Sequence, residues 1–302
     1  MKRSRCASLG LIVSLSAVAA CGGGGSDTET ARPTLPKTQR SEVQLLPVEM
    51  PDGSTRDFGV FEPQGVPTDA VFVLDSYSLV LPEARHPRSI LIERARDLGF
   101  LVVAPKGIDD TWNVEICCGS ALVAASDDVT YIENVADFVG EKYDLPAPRL
   151  HLVGWSGGGM MAYRMACEAS SKFGDIAIVE GVLVTKPCAP SIGVDLLHLH
   201  QTADPDVPYG GTRKSPVAVG GILPSVQRGF TRWLVGQSCT EPLIEVDGPI
   251  ETRSAKCRDR TTARLVTIEG GSGEWPASDD PYDVTTAILD FFGVIPPGEN
   301  DG

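Results

Sequence analysis

The hydrophobic positions of the chain form short continuous apolar runs, separated by longer segments with apolar residues at helical spacing. The clearest runs lie at Ala70–Leu74 and at 100–104, and such uninterrupted runs are typical of strands that are buried on both faces. Residues 88–98, between them, are predicted to form a helix whose apolar face carries Ile90, Leu91, Ala95 and Leu98.

The same alternation continues along the chain. Two short strands are predicted within residues 43–63, around a turn at 51–54. Asp127 or Asp128 is placed to cap a helix that runs to about Tyr143. Further strands are predicted at 150–153, 176–184, 194–200 and 263–268, and further helices at 159–167, 225–235 and 283–292. Strands that alternate with helices indicate a single α/β domain with a mostly parallel central sheet and helices on both faces.

Composition narrows the class of function. The 302-residue chain is 42% hydrophobic and 22% charged, which is ordinary for a globular protein with one large core. Its formal net charge is −14 and it has no basic patch, so nucleic acid is not expected as a partner.

The N-terminus has the pattern of an export signal. Lys2, Arg3 and Arg5 precede a short apolar stretch at 9–20, which is too short to be preferred as a membrane-spanning helix. Small residues then lead into Cys21, and this arrangement resembles the lipobox of bacterial lipoproteins, whose cysteine is acylated after cleavage. An ordinary signal peptide is the alternative. We expect an exported protein that a lipid on Cys21 anchors to a membrane.

Four segments follow from this interpretation. A lipoprotein signal peptide at 1–20 is followed by a flexible tether at 21–40, which begins with glycines at 22–25. The α/β domain is predicted at 41–297, and a tail at 298–302 is predicted to be disordered.

Cysteine usage agrees with export. When Cys6 and Cys21 are set aside, six of the eight cysteines remain, and outside the cytoplasm they indicate disulfides. Cys239 and Cys257 are the first predicted pair, because they flank a possible hairpin. Cys167 is then expected to pair with Cys188 or with one of the adjacent cysteines Cys117 and Cys118. No metal site is expected, because no C-x-x-C or histidine-rich spacing is present.

The strongest chemical motif is Gly154-Trp155-Ser156-Gly157-Gly158, which joins a predicted strand to a predicted helix. A serine at the apex of a sharp strand-to-helix turn is the arrangement of a nucleophile elbow. Side chains two residues before or after the serine would clash with the turn, and the helix N-terminus directs backbone N–H groups at a developing oxyanion.

The partners of such a serine follow in the order acid, then histidine. Asp204 comes directly after the predicted strand 194–200 and is the first candidate acid, with Asp206 as the second. Both are also ordinary turn formers beside a proline. A base is expected later still, yet none of the four histidines follows His200.

Residues 56–294 resemble the secreted polyhydroxybutyrate depolymerase and feruloyl-esterase-like branch of the α/β-hydrolases. The matching pieces keep the family's order along the chain. They are Val102-Val103-Ala104-Pro105, Trp112-Asn113, Cys117-Cys118-Gly119, Asp127-Asp128-Val129, residues 154–168, His198-Leu199-His200, residues 202–211, Ser225-Val226, Trp233, Cys239, Cys257, Trp275-Pro276 and Asp290-Phe291-Phe292.

The resemblance implies a carboxylic ester hydrolase that acts on a polyester or a feruloylated polysaccharide without a cofactor. Carried over by position, it makes Ser156 the nucleophile and Asp204 the acid. Backbone N–H groups of Gly157 and Ser76 take the place of the oxyanion donors.

Three positions depart from the family pattern. The base histidine precedes Trp-Pro by one residue in the family, and Gly273 stands at that position here. The His-Gly of the oxyanion turn is replaced by Asp75-Ser76, and a carboxylate there is expected to oppose a developing oxyanion. Gln201 replaces a glycine beside the acid.

These departures leave two hypotheses. The first is an exported lipoprotein with the hydrolase fold and little or no hydrolytic activity, which keeps its cleft to bind an ester, a polyester or a glycan ester. The second is an active serine esterase with a rearranged base, supplied by Glu274 beside the vacated position or by His200 beside Asp204.

Overall fold

A computed structural model of the chain describes residues 43–75, 86–116, 119–212, 222–276 and 282–295. The strands are β1 (Gln44–Glu49), β2 (Thr55–Phe61), β3 (Ala70–Leu74), β4 (Leu101–Pro105), β5 (Leu150–Trp155), β6 (Asp175–Val179), β7 (Asp195–Gln201), β8 (Leu243–Asp247), β9 (Ile250–Lys256) and β10 (Thr262–Ile268). The α-helices are α1 (Pro87–Leu98), α2 (Gly119–Val123), α3 (Asp128–Tyr143), α4 (Gly157–Glu168), α5 (Val226–Gly236) and α6 (Val284–Phe291).

The strands form one sheet in the order β1-β2-β4-β3-β5-β6-β7-β10-β9-β8. The six neighbouring central strands pair in parallel, in the order β4, β3, β5, β6, β7 and β10. Strand β2 pairs with β4, and β9 with β10, in antiparallel fashion. The predicted mostly parallel sheet is therefore confirmed. Because the carboxyl ends of parallel strands share one edge, the loops after β3, β5, β6, β7 and β10 meet there.

Each central strand supplies side chains to two separate apolar cores, one on each face of the sheet. Phe72 and Leu74 of β3 belong to the core beneath α3, α4 and α5, while the alternate residues Val71 and Val73 belong to the core beneath α1 and α6. This explains the uninterrupted apolar run at 70–74, since neither face of β3 meets water.

Helix starts follow the predicted capping chemistry. The Asp127 carboxylate accepts a hydrogen bond from the Thr130 N–H at the start of α3, and Ser225 caps α5 in the same way. On α1, the buried apolar residues are Leu91, Ile92 and Ala95. Ile90 and Leu98 are partly buried against the same core, so the predicted face is confirmed, and Ile92 extends it.

One predicted strand boundary needs correction, and two strands were not predicted. The strand predicted at 176–184 ends at Val179, because Glu180 takes a left-handed conformation with φ 50° and turns the chain away from the sheet. Strands β8 and β9 were not predicted as strands, although the cysteine argument anticipated a hairpin there. Every residue of β8 is exposed, so the strand lacks the alternation of buried apolar and exposed polar residues that reveals a strand in a sequence.

The structure contains the disulfides Cys167–Cys188 and Cys239–Cys257, and the second of them closes the β8–β9 hairpin. The first predicted pair is thus confirmed, and so is one of the two alternatives for Cys167. The predictions for Cys21, Ser76, Cys117, Cys118 and residues 1–40 and 298–302 lie outside the described residues. Within the described ranges, no helix combines the length and the apolar character needed to cross a membrane.

Candidate active site

Ser156 occupies a strained turn at the carboxyl edge of the sheet. It lies between the end of β5 and the first residue of α4, with φ 54° and ψ −119°. Residues other than glycine rarely adopt this region, and holding one there costs about 1–3 kcal/mol. The backbone is held by two hydrogen bonds, from Ser156 N to Val179 O (2.9 Å) and from Met160 N to Ser156 O (3.1 Å). The geometry is that of the elbow predicted from the sequence.

The flanking glycines allow α4 to approach the sheet closely. A Cβ atom on Gly154 would lie 2.1 Å from Gly158 O, and one on Gly158 would lie 1.9 Å from Leu74 O. Neither distance is possible between real atoms, so the helix can begin at this height above β3 and β5 only if both positions lack side chains.

The Ser156 hydroxyl has no hydrogen-bond partner among the residues that the structure describes. Gly157 is the first residue of α4, where backbone N–H groups have no intrahelical acceptor and are available to an incoming anion. The elbow therefore keeps the backbone features of an acyl-transfer site without an observed partner for its serine.

Asp204 lies in the loop after β7 and is buried, with about 5% of its surface exposed. Its Oδ1 atom accepts hydrogen bonds from the N–H groups of Asp206 (2.7 Å) and Val207 (2.9 Å). Asp206 is exposed. A buried, backbone-held carboxylate suits the acid of a catalytic site, whereas an exposed one is an ordinary turn residue, so the geometry favours Asp204 over Asp206.

The loop after β10 brings Gly273 against this acid. Gly273 has φ 79°, and a Cβ atom there would lie 2.6 Å from Asp204 Oδ1. The Trp155 indole donates a hydrogen bond to Gly273 O (3.2 Å), which ties the loop to the residue before Ser156. The residue before the predicted nucleophile, the predicted acid and the vacated base position thus meet at one place, as the topology requires.

Gln201 fills the space inside this loop. Its Oε1 atom accepts a hydrogen bond from Gly273 N (2.9 Å), and its Nε2 atom donates to Glu274 O (3.2 Å). A Cβ atom on Gly271 would lie 2.0 Å from Gln201 Oε1. The glutamine and the glycines therefore fit one another, and the loop is held in a conformation that has no room for a side chain at 273.

Neither predicted substitute base is poised for the role. Both ring nitrogens of His200 are engaged in the interior, Nε2 with Val207 O (2.8 Å) and Nδ1 with His198 Nε2 (3.3 Å). Burial lowers the pKa of His200. Glu274 is exposed, and its carboxylate has no hydrogen bond or ion pair among the described residues.

Sequence reasoning missed Glu180, which lies just after β6 and is almost fully buried. Its carboxylate accepts hydrogen bonds from Gln201 N (3.0 and 3.1 Å), and its Oε2 atom is 3.4 Å from His200 Nε2. Burial, and next the negative charge of Asp204, raise the pKa of Glu180 well above its usual range. Only the positive φ sets this residue apart, and that is not visible in a sequence.

The turn after β3 corrects the expected effect of Asp75. The Asp75 carboxylate is buried and both of its oxygens bond to Arg88 Nη2 (2.6 and 2.7 Å), so its charge is compensated by a buried guanidinium. His86 Nε2 is 3.6 Å from Asp75 Oδ2, and its ring packs edge-on against Trp155. Burial, and next the charge of Arg88, lower the pKa of His86 to about 4, so it is neutral at pH 7. The expected opposition to an oxyanion therefore does not follow from Asp75.

No protein-family model matches the chain. Among curated proteins, NocK of Nocardia uniformis subsp. tsuyamanensis, which is named as an esterase, is 26% identical over 176 residues, or 51% of this chain and 50% of that protein. The bifunctional acetylxylan esterase/xylanase of Neocallimastix patriciarum is 23% identical over 160 residues, or 52% of this chain and 22% of that protein. The chain thus spans half or less of the length of these relatives.

Among solved structures, the acetyl xylan esterase from Aspergillus awamori superposes with a TM-score of 0.57 and 13% identity, over 83% of this chain and all of that one. At this identity the likeness concerns the fold. It confirms the predicted α/β-hydrolase fold, and the curated relatives agree with the predicted resemblance to esterases.

Proposed function

Because the chain has the α/β-hydrolase fold and is similar to esterases, we propose that it is an exported lipoprotein that binds an ester-bearing ligand beside Ser156 and hydrolyses it slowly or not at all. The observation that carries the proposal is the position of Gly273. The loop that supplies the base in the family instead packs its backbone on Asp204.

The proposed ligand is an ester, a polyester or a glycan ester. The names of the esterase relatives support this class, and the net charge of −14 argues against nucleic acid. The proposed anchor is a lipid on Cys21, which rests on the sequence pattern of the N-terminus. No cofactor is part of this proposal.

The rate argument depends on the base. A serine hydroxyl without a neighbouring base is a weak nucleophile at neutral pH. Hydrolases that lose a triad member keep about 10³–10⁴ over the uncatalysed rate from their oxyanion and binding contacts. The Asp75–Arg88 pair removes the charge of Asp75 as a reason for impairment, so the proposal rests on the missing base alone.

An active esterase with a rearranged base is the second candidate, and the strained elbow favours it. A turn that costs about 1–3 kcal/mol has been kept at Ser156, as expected of a working nucleophile. The surroundings of the two substitute bases count against it, because His200 is bonded to Val207 O and the Glu274 carboxylate is exposed.

The proposal is tested by separating binding from turnover. Acetylated and deacetylated xylo-oligosaccharides, together with a short hydroxybutyrate oligomer, are titrated against the full chain by calorimetry. Labelling by a fluorophosphonate probe is followed in parallel for the wild type and Ser156→Ala. We expect preferential binding of an esterified ligand, retained in the variant, and labelling that is slow in both.

Two results would count against the proposal. Rapid labelling that disappears in Ser156→Ala would establish an activated serine and favour the second candidate. Equal affinity for esterified and deacetylated ligands, with no affinity for the polyester, would show that the protein does not recognise the ester group.

A further inference from the structure

Three buried side chains from separate segments converge beneath the loop that carries Gly273. Glu180 follows β6, His200 belongs to β7, and Asp204 lies in the loop after β7. One ligand-type atom from each lies within 4.8 Å of the other two, and in the described part of the chain this is the one such group of three. All three residues are at most 5% exposed.

The two buried carboxylates of the cluster, Glu180 and Asp204, have no lysine or arginine partner among the described residues. Among the described residues, no lysine or arginine lies within 4.0 Å of Glu180 or Asp204, and the one basic group near them is the buried imidazole of His200. Two ionised carboxylates cannot be held together in a buried site without compensation. Backbone N–H groups of Gln201, Asp206 and Val207 offset part of this charge, and a bound cation would offset the rest.

We propose that Glu180, His200 and Asp204 bind one divalent cation of the zinc type. The distances from His200 Nε2 are 3.4 Å to Glu180 Oε2 and 3.8 Å to Asp204 Oδ2. Two ligand atoms that each lie about 2.1 Å from a tetrahedral zinc ion are about 3.4 Å apart. His200 Nε2 is thus already close to ligand spacing from both carboxylates, and two carboxylates with a neutral imidazole balance the charge of a divalent ion.

The carbonyl oxygen of Val207 is a candidate for the fourth metal ligand. The carbonyl oxygen of Val207 lies 2.8 Å from His200 Nε2. This separation is a hydrogen-bond distance, so the carbonyl would withdraw by about 0.6 Å to reach the spacing of two zinc ligands. Val207 N is bonded to Asp204 Oδ1, so the carbonyl and the carboxylate belong to one tight turn.

His198 supplies the outer partner that a metal-binding histidine needs. Its Nε2 atom lies 3.3 Å from His200 Nδ1, and its Nδ1 atom lies 2.9 Å from the Tyr163 hydroxyl. In the structure, His200 Nε2 lies at hydrogen-bond distance from Val207 O, so zinc binding requires the ring proton to move to Nδ1, from which it is donated to His198 Nε2. A ligating histidine is commonly oriented by such an acceptor on its other nitrogen.

The proposal does not rest on the proposed function, because zinc binding needs neither Ser156 nor an ester ligand, although Asp204 belongs to both sites. It adds a consequence for Asp204: a carboxylate that binds the cation through Oδ2 serves to hold the loops after β6 and β7 together. The three ligands bind a metal as two carboxylates and a neutral imidazole, so zinc affinity should fall as the pH is lowered.

Metal content and coordination test the proposal directly. The full chain is stripped with a chelator, dialysed against zinc chloride, freed of unbound metal and analysed by mass spectrometry. We expect about one zinc per chain and a higher melting temperature with zinc than with chelator. Cobalt(II) chloride should give the strong visible absorption of a tetrahedral site.

Glu180→Gln is the diagnostic variant, because the amide oxygen still accepts from Gln201 N while the ligand charge is lost. We expect its zinc affinity to fall at least tenfold, with unchanged circular dichroism. Asp206→Asn is the matched control: it removes an exposed carboxylate in the same loop and should bind zinc as the wild type does.

Two outcomes would overturn the proposal. If the wild type retains no stoichiometric zinc and melts identically with zinc and with chelator, the cluster does not bind zinc. If Glu180→Gln binds zinc as tightly as the wild type, the ion is bound elsewhere. Should that variant fail to fold, the zinc stoichiometry and the cobalt spectrum of the wild type decide the question.

Discussion

The two sides of the candidate site, the elbow around Ser156 and the loop at 269–275, differ in how closely they match the family pattern. On the nucleophile side, the elbow keeps its strained serine, its glycines at 154 and 158 and the helix that starts at Gly157. On the base side, Gly273 in the loop at 269–275 lies against Asp204, at the position where the family resemblance predicts a histidine, and Gln201 occupies the inside of the loop.

The comparison shows that the elbow also has a role in packing the fold. Gly154 and Gly158 set the height of α4 above the sheet, and that height positions much of one core. The loop at 269–275 has no comparable role in core packing, because residues 269–272 and 274 are exposed or half-buried. The fold therefore needs the elbow for packing but needs no side chain at 273.

The largest expected effect concerns the turn after β3, which supports the elbow side. Arg88→Met leaves the buried Asp75 carboxylate without its guanidinium, and breaking a buried pair in this way costs about 3–5 kcal/mol of the free energy of unfolding. Urea unfolding measures it. Lys172→Met, at the more exposed pair with Asp137, should cost less than about 1 kcal/mol. Equal losses in the two variants would mean that the Asp75 pair has no special weight.

The close approach of α4 is tested by Gly158→Ala. The added Cβ would lie 1.9 Å from Leu74 O, so the helix must shift, at a cost of about 3 kcal/mol in the free energy of unfolding. Gly210→Ala is the control, because nothing lies within 4 Å of that position, and it should change stability by less than about 0.5 kcal/mol. A Gly158→Ala protein as stable as the wild type would contradict the packing argument.

The base side is tested by restoring what is missing. Gly273→His alone should give no activity, because φ is 79° and the new Cβ would collide with Asp204. Adding Gln201→Gly frees the inside of the loop, and the double variant should hydrolyse an aryl ester about a hundredfold faster than the wild type. Gln201→Gly alone should gain nothing. If the single histidine variant is already as active as the double one, Gln201 does not hold the loop closed.

The smallest effect lies at the opposite end of β5. Burial lowers the pKa of His151, but its hydrogen bonds to Asp175 and Asp69 outweigh this and raise the pKa above the ordinary value of 6.5. The protonated form therefore stabilises the fold fully below about pH 6.5, and that contribution is lost as the pH rises through the folded-state pKa.

The expected loss is about 1.4 kcal/mol for each unit by which the pKa is raised. It is measured as the difference between the wild type and His151→Gln in urea unfolding at pH 6 and pH 9. A difference that stays constant with pH would mean that His151 is neutral in the folded protein.

The sequence was informative where function depends on chain order and hydrophobic period. Apolar runs predicted β3 and β5 closely, and the rule of serine, acid and base along the chain selected Asp204 before its burial was known. The vacated base position was visible only through the family resemblance, because a glycine in a glycine-rich loop has no signal of its own.

Side-chain pairing across segments was not predictable. Asp75 was expected to oppose an oxyanion, since nothing in the sequence shows that Arg88, the second residue of α1, reaches it. Glu180 was placed inside a predicted strand for the same reason: its contacts with His200 and Gln201 depend on how the ends of β6 and β7 meet. The exposed strand β8 lacked the hydrophobic alternation that reveals a strand.

The central claim, an intact elbow without a base, is tested most directly by the ratio of kcat/KM for 4-nitrophenyl acetate between the wild type and Ser156→Ala. We predict a ratio within about tenfold of one, because no base contacts the Ser156 hydroxyl among the described residues. A ratio of about 10³ or more would show that Ser156 is an activated nucleophile and would contradict the account.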